Sequence, residues 1–146
     1  MADVSFENRV VIVTGAGNGL GKAYALELGK RGAKVVVNDL GGAVDGSGSG
    51  NSPADDVVNE IIENGGEAVA NYDSVATEDG GESIVQTAVD SFGTVDAVIN
   101  NAGILRDKSF ANMTEKEFSL IIEVHLKGTY FVTPVSYTHL TLPTKA

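Results

Sequence analysis

The stretch Thr14-Gly15-Ala16-Gly17-Asn18-Gly19-Leu20-Gly21 follows directly on the apolar run Val10-Val11-Ile12-Val13 and opens a helical pattern. A strand that turns sharply into a helix beneath a pyrophosphate needs backbone without Cβ atoms, so that amide N–H groups and the positive helix end reach the phosphates. Gly15, Gly19 and Gly21 supply it. The spacing departs from the common fingerprint G-x-G-x-x-G, whose third glycine falls on Leu20 counted from Gly15 and on Lys22 counted from Gly17. The phosphate loop G-x-x-x-x-G-K-[ST] fails too, because it needs a glycine at Ala16 and a hydroxyl at Ala23. What fits is T-G-x-x-x-G-x-G.

A glycine cluster alone is also the mark of a plain strand-to-helix turn. Here the helical pattern Leu20, Ala23, Tyr24, Leu28 stops at Gly32, and Lys34-Val35-Val36-Val37-Asn38-Asp39 reads as a buried strand ending in an acid. Asp39 follows Gly21 at close to the roughly 20-residue spacing expected of the carboxylate that accepts the ribose hydroxyls of a bound dinucleotide. A 2'-phosphate beside Asp39 meets like charge, and neither Asn38 nor Leu40 offers a cation to offset it. The expected cofactor is therefore NAD rather than NADP.

Strand and helix signals alternate along the rest of the chain, which demands parallel pairing. After a glycine and serine loop from Gly41 to Asn51, Ser52 is an N-cap, Pro53 takes the first helical position, and Asp55 and Asp56 stand in the first turn. That helix runs through Val57, Val58, Ile61 and Ile62 to Gly65-Gly66. A strand over Glu67–Asn71 follows, then a helix opened by Thr77-Glu78-Asp79 with Ile84, Val85, Ala88, Val89 and Phe92 at helical spacing up to Gly93. Val95 to Asn100 reads as a fourth strand. Thr114 and Glu117 form a capping box for a helix carrying Phe118, Ile121, Ile122 and His125 on one face. The pattern predicts an α/β, Rossmann-like, doubly wound parallel sheet of about four strands, ordered 3-2-1-4, with the glycine loop near the topological switch point.

Composition narrows the function classes. With 146 residues the chain holds one domain with a real core, short of a full six-stranded dinucleotide fold. A formal charge of -10, with no basic residue between Lys34 and Arg106, argues against nucleic acid or an anionic membrane as partner. There is no cysteine, hence neither a disulfide framework nor thiolate chemistry. The start of the chain lacks the positive end and apolar core of a secretory signal, and no apolar run approaches 18 residues. A soluble, cytoplasmic protein is the expectation. Asp45, Ser47, Ser49, Gly50 and Asp56 echo calcium-loop positions, but two are serines and Pro53 interrupts them, so a surface loop is expected and no metal site.

With Thr14 to Gly21, Asn38-Asp39-Leu40-Gly41-Gly42, Asn71-Tyr72-Asp73-Ser74-Val75 and Asn100-Asn101-Ala102-Gly103-Ile104-Leu105-Arg106-Asp107, the chain resembles the short-chain dehydrogenase/reductases. More narrowly it is similar to the (3R)-3-hydroxyacyl-CoA dehydrogenase domain of multifunctional β-oxidation enzymes. The resemblance implies that Gly15, Asn18, Gly19, Leu20 and Gly21 hold the pyrophosphate, Asp39 the ribose, and Asp73, Ser74 and Val75 the adenine. It implies that Asn101, Ala102 and Gly103 line the nicotinamide side. A carboxylate such as Asp73 accepts from the adenine amino group while a neighbouring backbone N–H donates to the ring; alone, Asp73-Ser74 reads as an Asx turn. His125 stands where the family usually has the asparagine of a proton relay. A relay role and a hydrogen-bonded core histidine both remain open for it.

An acyl-CoA-type substrate and a homo-oligomeric parent also follow from the resemblance; related reductases of 3-oxoacyl thioesters or small alcohols, and a non-catalytic dinucleotide-binding fragment, are the alternatives. The family's Tyr-x-x-x-Lys pair has no counterpart here. Leu28, Ala76, Pro134 and Thr141 stand four residues beyond Tyr24, Tyr72, Tyr130 and Tyr137. The resemblance ends near Pro134, where a helix through Leu126 to Thr133 is expected to break, and the string from Val135 to Thr144 resembles a translated transposase adaptor of sequencing libraries. Residues 1–134 are thus read as the N-terminal part of an NAD-binding domain and 135–146 as a non-native tail.

Overall fold

The computed structural model describes residues 4–41 and 52–139. The calcium-like positions Asp45, Ser47, Ser49 and Gly50, and the end of the adaptor-like string, lie outside them. Four strands, β1 (Val10–Thr14), β2 (Lys34–Asn38), β3 (Glu67–Asn71) and β4 (Ala97–Ile99), form one sheet ordered β3-β2-β1-β4 with all three pairings parallel. The expected order 3-2-1-4 is the one observed. The crossovers are α1 (Gly19–Lys30), α2 (Pro53–Glu63) and α3 (Glu78–Phe92); beyond β4 come a short 3-10 turn at Phe110–Asn112, α4 (Glu115–Ile122), a π-helical turn at Glu123–Lys127 and α5 (Gly128–His139).

Alternation along the central strands divides the core. Val11, Val13, Val35 and Val37 pack with Ala25, Ala54, Val57 and Ile61 of α1 and α2. Val10, Ile12 and Val36 turn to the other face and meet Ile84, Val85 and Ala88 of α3 and Val132 of α5. Because both faces are covered, β1 and β2 read as unbroken β-branched apolar runs, Val10-Val11-Ile12-Val13 and Val35-Val36-Val37.

The α1 helix departs from the expected stripe. Leu20 and Tyr24 are 68% and 42% exposed, and the buried positions are Gly21, Ala25 and Gly29. Small residues go inward because the helix lies too close to its neighbours for larger ones: a Cβ on Gly29 would stand 2.8 Å from Ile61 Cγ2. The fourth strand is shorter than Val95 to Asn100, since the Thr14 hydroxyl takes the N–H groups of Asn101 and Ala102, at 3.1 and 3.0 Å, and ends the ladder. Nor does the last helix break at Pro134, which lies inside α5. Threonine and serine hydroxyls bond carbonyls along this segment, Thr129 to His125, Thr133 to Thr129 and Ser136 to Thr133, while buried Val132 and Ser136 hold the helix to the fold.

Candidate dinucleotide site

At the C-terminal ends of the strands, where ligands bind in open α/β sheets, the glycine loop is held from two sides. Gly15 sits at φ +62°, and a Cβ there would stand 2.8 Å from Ala102 Cα; the position demands glycine in both conformation and space. At Gly21 a Cβ would run into the Gly15 carbonyl oxygen and the Asn101 amide nitrogen, and would lie 2.9 Å from Ala16 Cα. The start of α1 is thereby pressed onto the loop. Asn18 is its N-cap in extended conformation, but its side chain makes no capping bond and the first turn holds no acid. The leading N–H groups of α1 are thus offered outward without a built-in acceptor.

Asp39 closes the other side. Its Oδ2 accepts from Gly17 N–H at 2.9 Å and its Oδ1 from Gly41 N–H at 3.1 Å, so the carboxylate is fixed against the glycine loop. A cavity of about 190 Å³ opens between these elements, lined by Gly15, Asp39, Asp73, Ser74, Val75, Ala102 and Gly103 among the expected residues. Asn38, Leu40, Ile104 and Val124 complete its wall. Asn38, Leu40 and Ile104 lie within the strings that carry the resemblance, which implies no role for them, and Val124 lies outside those strings; Asn38, a polar residue buried at the end of a valine run, is the one whose position hinted at a role.

Other expected residues lie elsewhere. Asn18, Gly19 and Leu20 are exposed at the head of α1, outside the cavity wall. Asn101 turns away from the cavity: its Nδ2 donates to the carbonyls of Thr14 and Gly15, both at 3.0 Å, and ties the end of β4 to the glycine loop. Thr14, overlooked as a functional residue although it heads the motif, is the second half of that clamp. His125 is not a core histidine. It is exposed within the π-helical turn, a feature that often marks functional sites, and its Nε2 lies 3.0 Å from Ile104 N and 2.9 Å from Ile104 O. Which of the two it bonds depends on the tautomer. The ring packs on Gly103, where a Cβ would approach Cε1 to 2.8 Å. Next to Asp73 in the chain, the Tyr72 hydroxyl donates to Asp55 at 2.5 Å, and that bond, followed by burial and the Asp55 charge, raises the phenol above its usual 10.

A sheet of this order with a clamped T-G-x-x-x-G-x-G loop at its switch point matches one family profile, short chain dehydrogenase, over residues 9–144, and the chain belongs to that family. It is 61% identical over 137 residues to peroxisomal multifunctional enzyme A of Dictyostelium discoideum, covering 94% of this chain and 30% of that protein. To the peroxisomal hydratase-dehydrogenase-epimerase of Saccharomyces cerevisiae it is 56% identical over 138 residues, covering 94% of this chain and 15% of that one. A crystal structure of a short chain dehydrogenase from Mycobacterium avium superposes with a TM-score of 0.86 at 49% identity, over 93% of this chain and 47% of that chain. The chain thus spans less than half the length of each.

Membership makes the chain part of an oxidoreductase by family, of a fold that is generally nicotinamide-dinucleotide dependent. The expectation of a cytoplasmic protein is corrected by the relatives' names, which are peroxisomal and point to the peroxisome. Composition does not exclude the peroxisome, because peroxisomal import reads a short receptor-recognised address rather than an apolar leader. Among the described residues no helix is long and apolar enough to cross a membrane.

Proposed function

We propose that this chain is the dinucleotide-binding part of an NAD-dependent dehydrogenase acting on 3-hydroxyacyl-CoA thioesters in fatty-acid β-oxidation. The observation that carries the cofactor choice is Asp39, fixed by the Gly17 and Gly41 N–H groups at the mouth of the cavity. A ribose with free hydroxyls donates to such a carboxylate, whereas a 2'-phosphate is repelled by it. The acyl-CoA substrate rests on the likeness to multifunctional and hydratase-dehydrogenase-epimerase proteins.

The residues present fit the cofactor. The uncapped start of α1 with Gly15, Asn18, Gly19, Leu20 and Gly21 takes the pyrophosphate; Asp73, Ser74 and Val75 take the adenine; Ala102 and Gly103 flank the nicotinamide, with Asn101 holding that wall from behind. When bound, the nicotinamide supplies the hydride acceptor for alcohol oxidation. His125, whose ring bonds the backbone of Ile104 and packs on Gly103, is the residue to which this reading gives the proton relay. Exposed Leu105, Phe110, Leu126 and Tyr130 support a homo-oligomeric parent. Because no tyrosine of the chain is followed by lysine at the fourth position, it binds the dinucleotide without turnover. Native residues end near 134 in this reading, and a genomic amplicon carrying the codons for 135–146 contiguously would overturn that part.

Calorimetric titration of this chain with NADH and NADPH tests the rest. Tighter binding of NADH with no oxidation of a 3-hydroxyacyl-CoA is expected; equal affinities would remove the role given to Asp39, and hydride transfer by this chain would overturn the account of its inactivity.

A further inference from the structure

The strands next to the site end in two buried asparagines where valines would serve the fold. Asn38 closes β2 and Asn71 closes β3, paired in register, at 2% and 5% exposure. Burying an amide costs free energy unless its groups are bonded, so the partners reveal what the pair is for.

Asn71 is saturated. Its Oδ1 accepts from Asn38 Nδ2 at 2.8 Å and from the backbone N–H of Asp73 at 3.0 Å; its Nδ2 donates to Asp73 Oδ2 and to Thr87 Oγ1, both at 2.9 Å. Four bonds are all that a side-chain amide makes, and two of them go to Asp73. Exchanging the amide oxygen and nitrogen would set an acceptor against the carboxylate and a donor against an N–H, so the orientation is forced. The second proton of Asn38 goes to the Asp73 carbonyl at 2.9 Å. From α3, the half-buried Ser83 hydroxyl donates to the same Asp73 Oδ2 at 2.7 Å. The backbone joins the pair to the rest of the site: the Asn38 carbonyl accepts from Ala16 N–H at 2.8 Å, and Asp39 N–H donates to the Asn71 carbonyl at 3.0 Å.

We propose that Asn38, Asn71 and Ser83 are positioning residues that determine base specificity, locking the Asp73 carboxylate so that it accepts from the 6-amino group of adenine. The proposal rests on the dinucleotide reading above. Held through Oδ2 by Asn71 and Ser83, and through both backbone polar groups by the two asparagines, Asp73 meets the cavity in one orientation. A satisfied buried network of this kind rigidifies what it holds, and a fixed acceptor discriminates between a donor and an acceptor on the ligand more sharply than a mobile one.

The test is calorimetric titration of the whole chain with ADP-ribose and with its hypoxanthine counterpart, which carries an oxo group in place of the amino group. The unaltered chain is expected to favour adenine by about tenfold, the scale of a hydrogen bond to a charged group. Ser83→Ala, at a half-buried helix position that tolerates the change, is expected to cut that ratio to roughly threefold, and Ser83→Thr, which restores a hydroxyl, to recover it. Asn71→Asp keeps the shape but sets a carboxylate against Asp73, and should abolish the preference. A purely structural role would weaken both ligands equally and leave the ratio intact; that result in Ser83→Ala overturns the proposal. Binding of neither ligand by the unaltered chain would instead remove the dinucleotide reading on which it stands.

Discussion

The start of α1 and the starts of α2, α3 and α4 solve the same problem in opposite ways. Every helix begins with N–H groups that have no partner within it. At α2, Ser52 accepts from Ala54 N–H, Asp55 bonds back to Ser52 N–H, and Asp55 and Asp56 set negative charge against the dipole. At α3, Thr77 accepts from Gly80 N–H above Glu78 and Asp79; at α4, Thr114 and Glu117 form a reciprocal box. At α1 there is no side-chain acceptor and no acid, and glycine replaces bulk wherever the loop approaches. Three helices carry their own anion; the fourth carries none, and it is to this helix start that the proposed function assigns the pyrophosphate.

The largest break in that contrast comes from Gly21→Ala. The added methyl collides with the Gly15 carbonyl, Asn101 and Ala16, and overpacking of this kind costs about 1–3 kcal/mol. Thermal melting should show the loss, and calorimetry should find NADH binding gone, since the loop can no longer seat α1. An unchanged melting temperature would mean the close packing carries no energy.

Next in size is Asp39→Ala. It removes the acid proposed to accept from the ribose and frees Gly17 N–H, so affinity for NADH is expected to fall by about tenfold while NADPH, no longer repelled, gains. Parallel titrations read the ratio. A preference that survives the substitution would move the discrimination to another residue.

The two kinds of helix start are separated most directly by a pair of substitutions with opposite signs. Ser52→Ala costs about 1 kcal/mol of stability by removing a cap, with NADH affinity nearly unchanged. Asn18→Asp supplies α1 with the missing acid, raises stability by about 0.3–1 kcal/mol, and weakens NADH binding through repulsion of the pyrophosphate. Equal responses of stability and affinity in both variants would erase the distinction.

Much of this was legible in the sequence because caps and turn glycines act locally. Ser52, Thr77, Thr114 and Gly93 mark helix ends where they stand, and the β-branched apolar runs of β1 and β2 announce burial on both faces. What was not legible depends on distances between elements. Leu20 and Tyr24 look like the inner stripe of α1, yet only the closeness of Gly29 to Ile61 and of Gly21 to Gly15 reveals that the helix turns its glycines inward. Asn101 sits in a string that suggests a ligand contact, and its amide is spent on the Thr14 and Gly15 carbonyls. His125 keeps helical spacing with Phe118 and Ile121, but it lies in a π-helical turn, exposed, with its ring bonded to Ile104.

The smallest expected effect concerns acid at the start of α4. The Glu117 carboxyl is held down to about 2, first by its bond to Lys108 and then by those from Thr114 N–H and Oγ1. A carboxyl whose folded pKa lies below its unfolded value of 4.5 contributes stability that is fully present above 4.5 and fades as pH falls through that value toward about 2. Amide exchange at the first turn of α4 should therefore quicken only as pH drops below 4.5, after correction for the intrinsic rate, and Glu117→Gln should flatten that dependence. The start of α1 holds no acid in its own first turn, and the Asp39 carboxylate bonds the Gly17 N–H ahead of the N-cap, so the first-turn amides of α1 should show no such acid-linked loosening over the same range. A matching pH response at α1 would mean that its N–H groups depend on a carboxylate after all, and the opposition between a self-capped helix and one that waits for an external anion would fail at its most sensitive point.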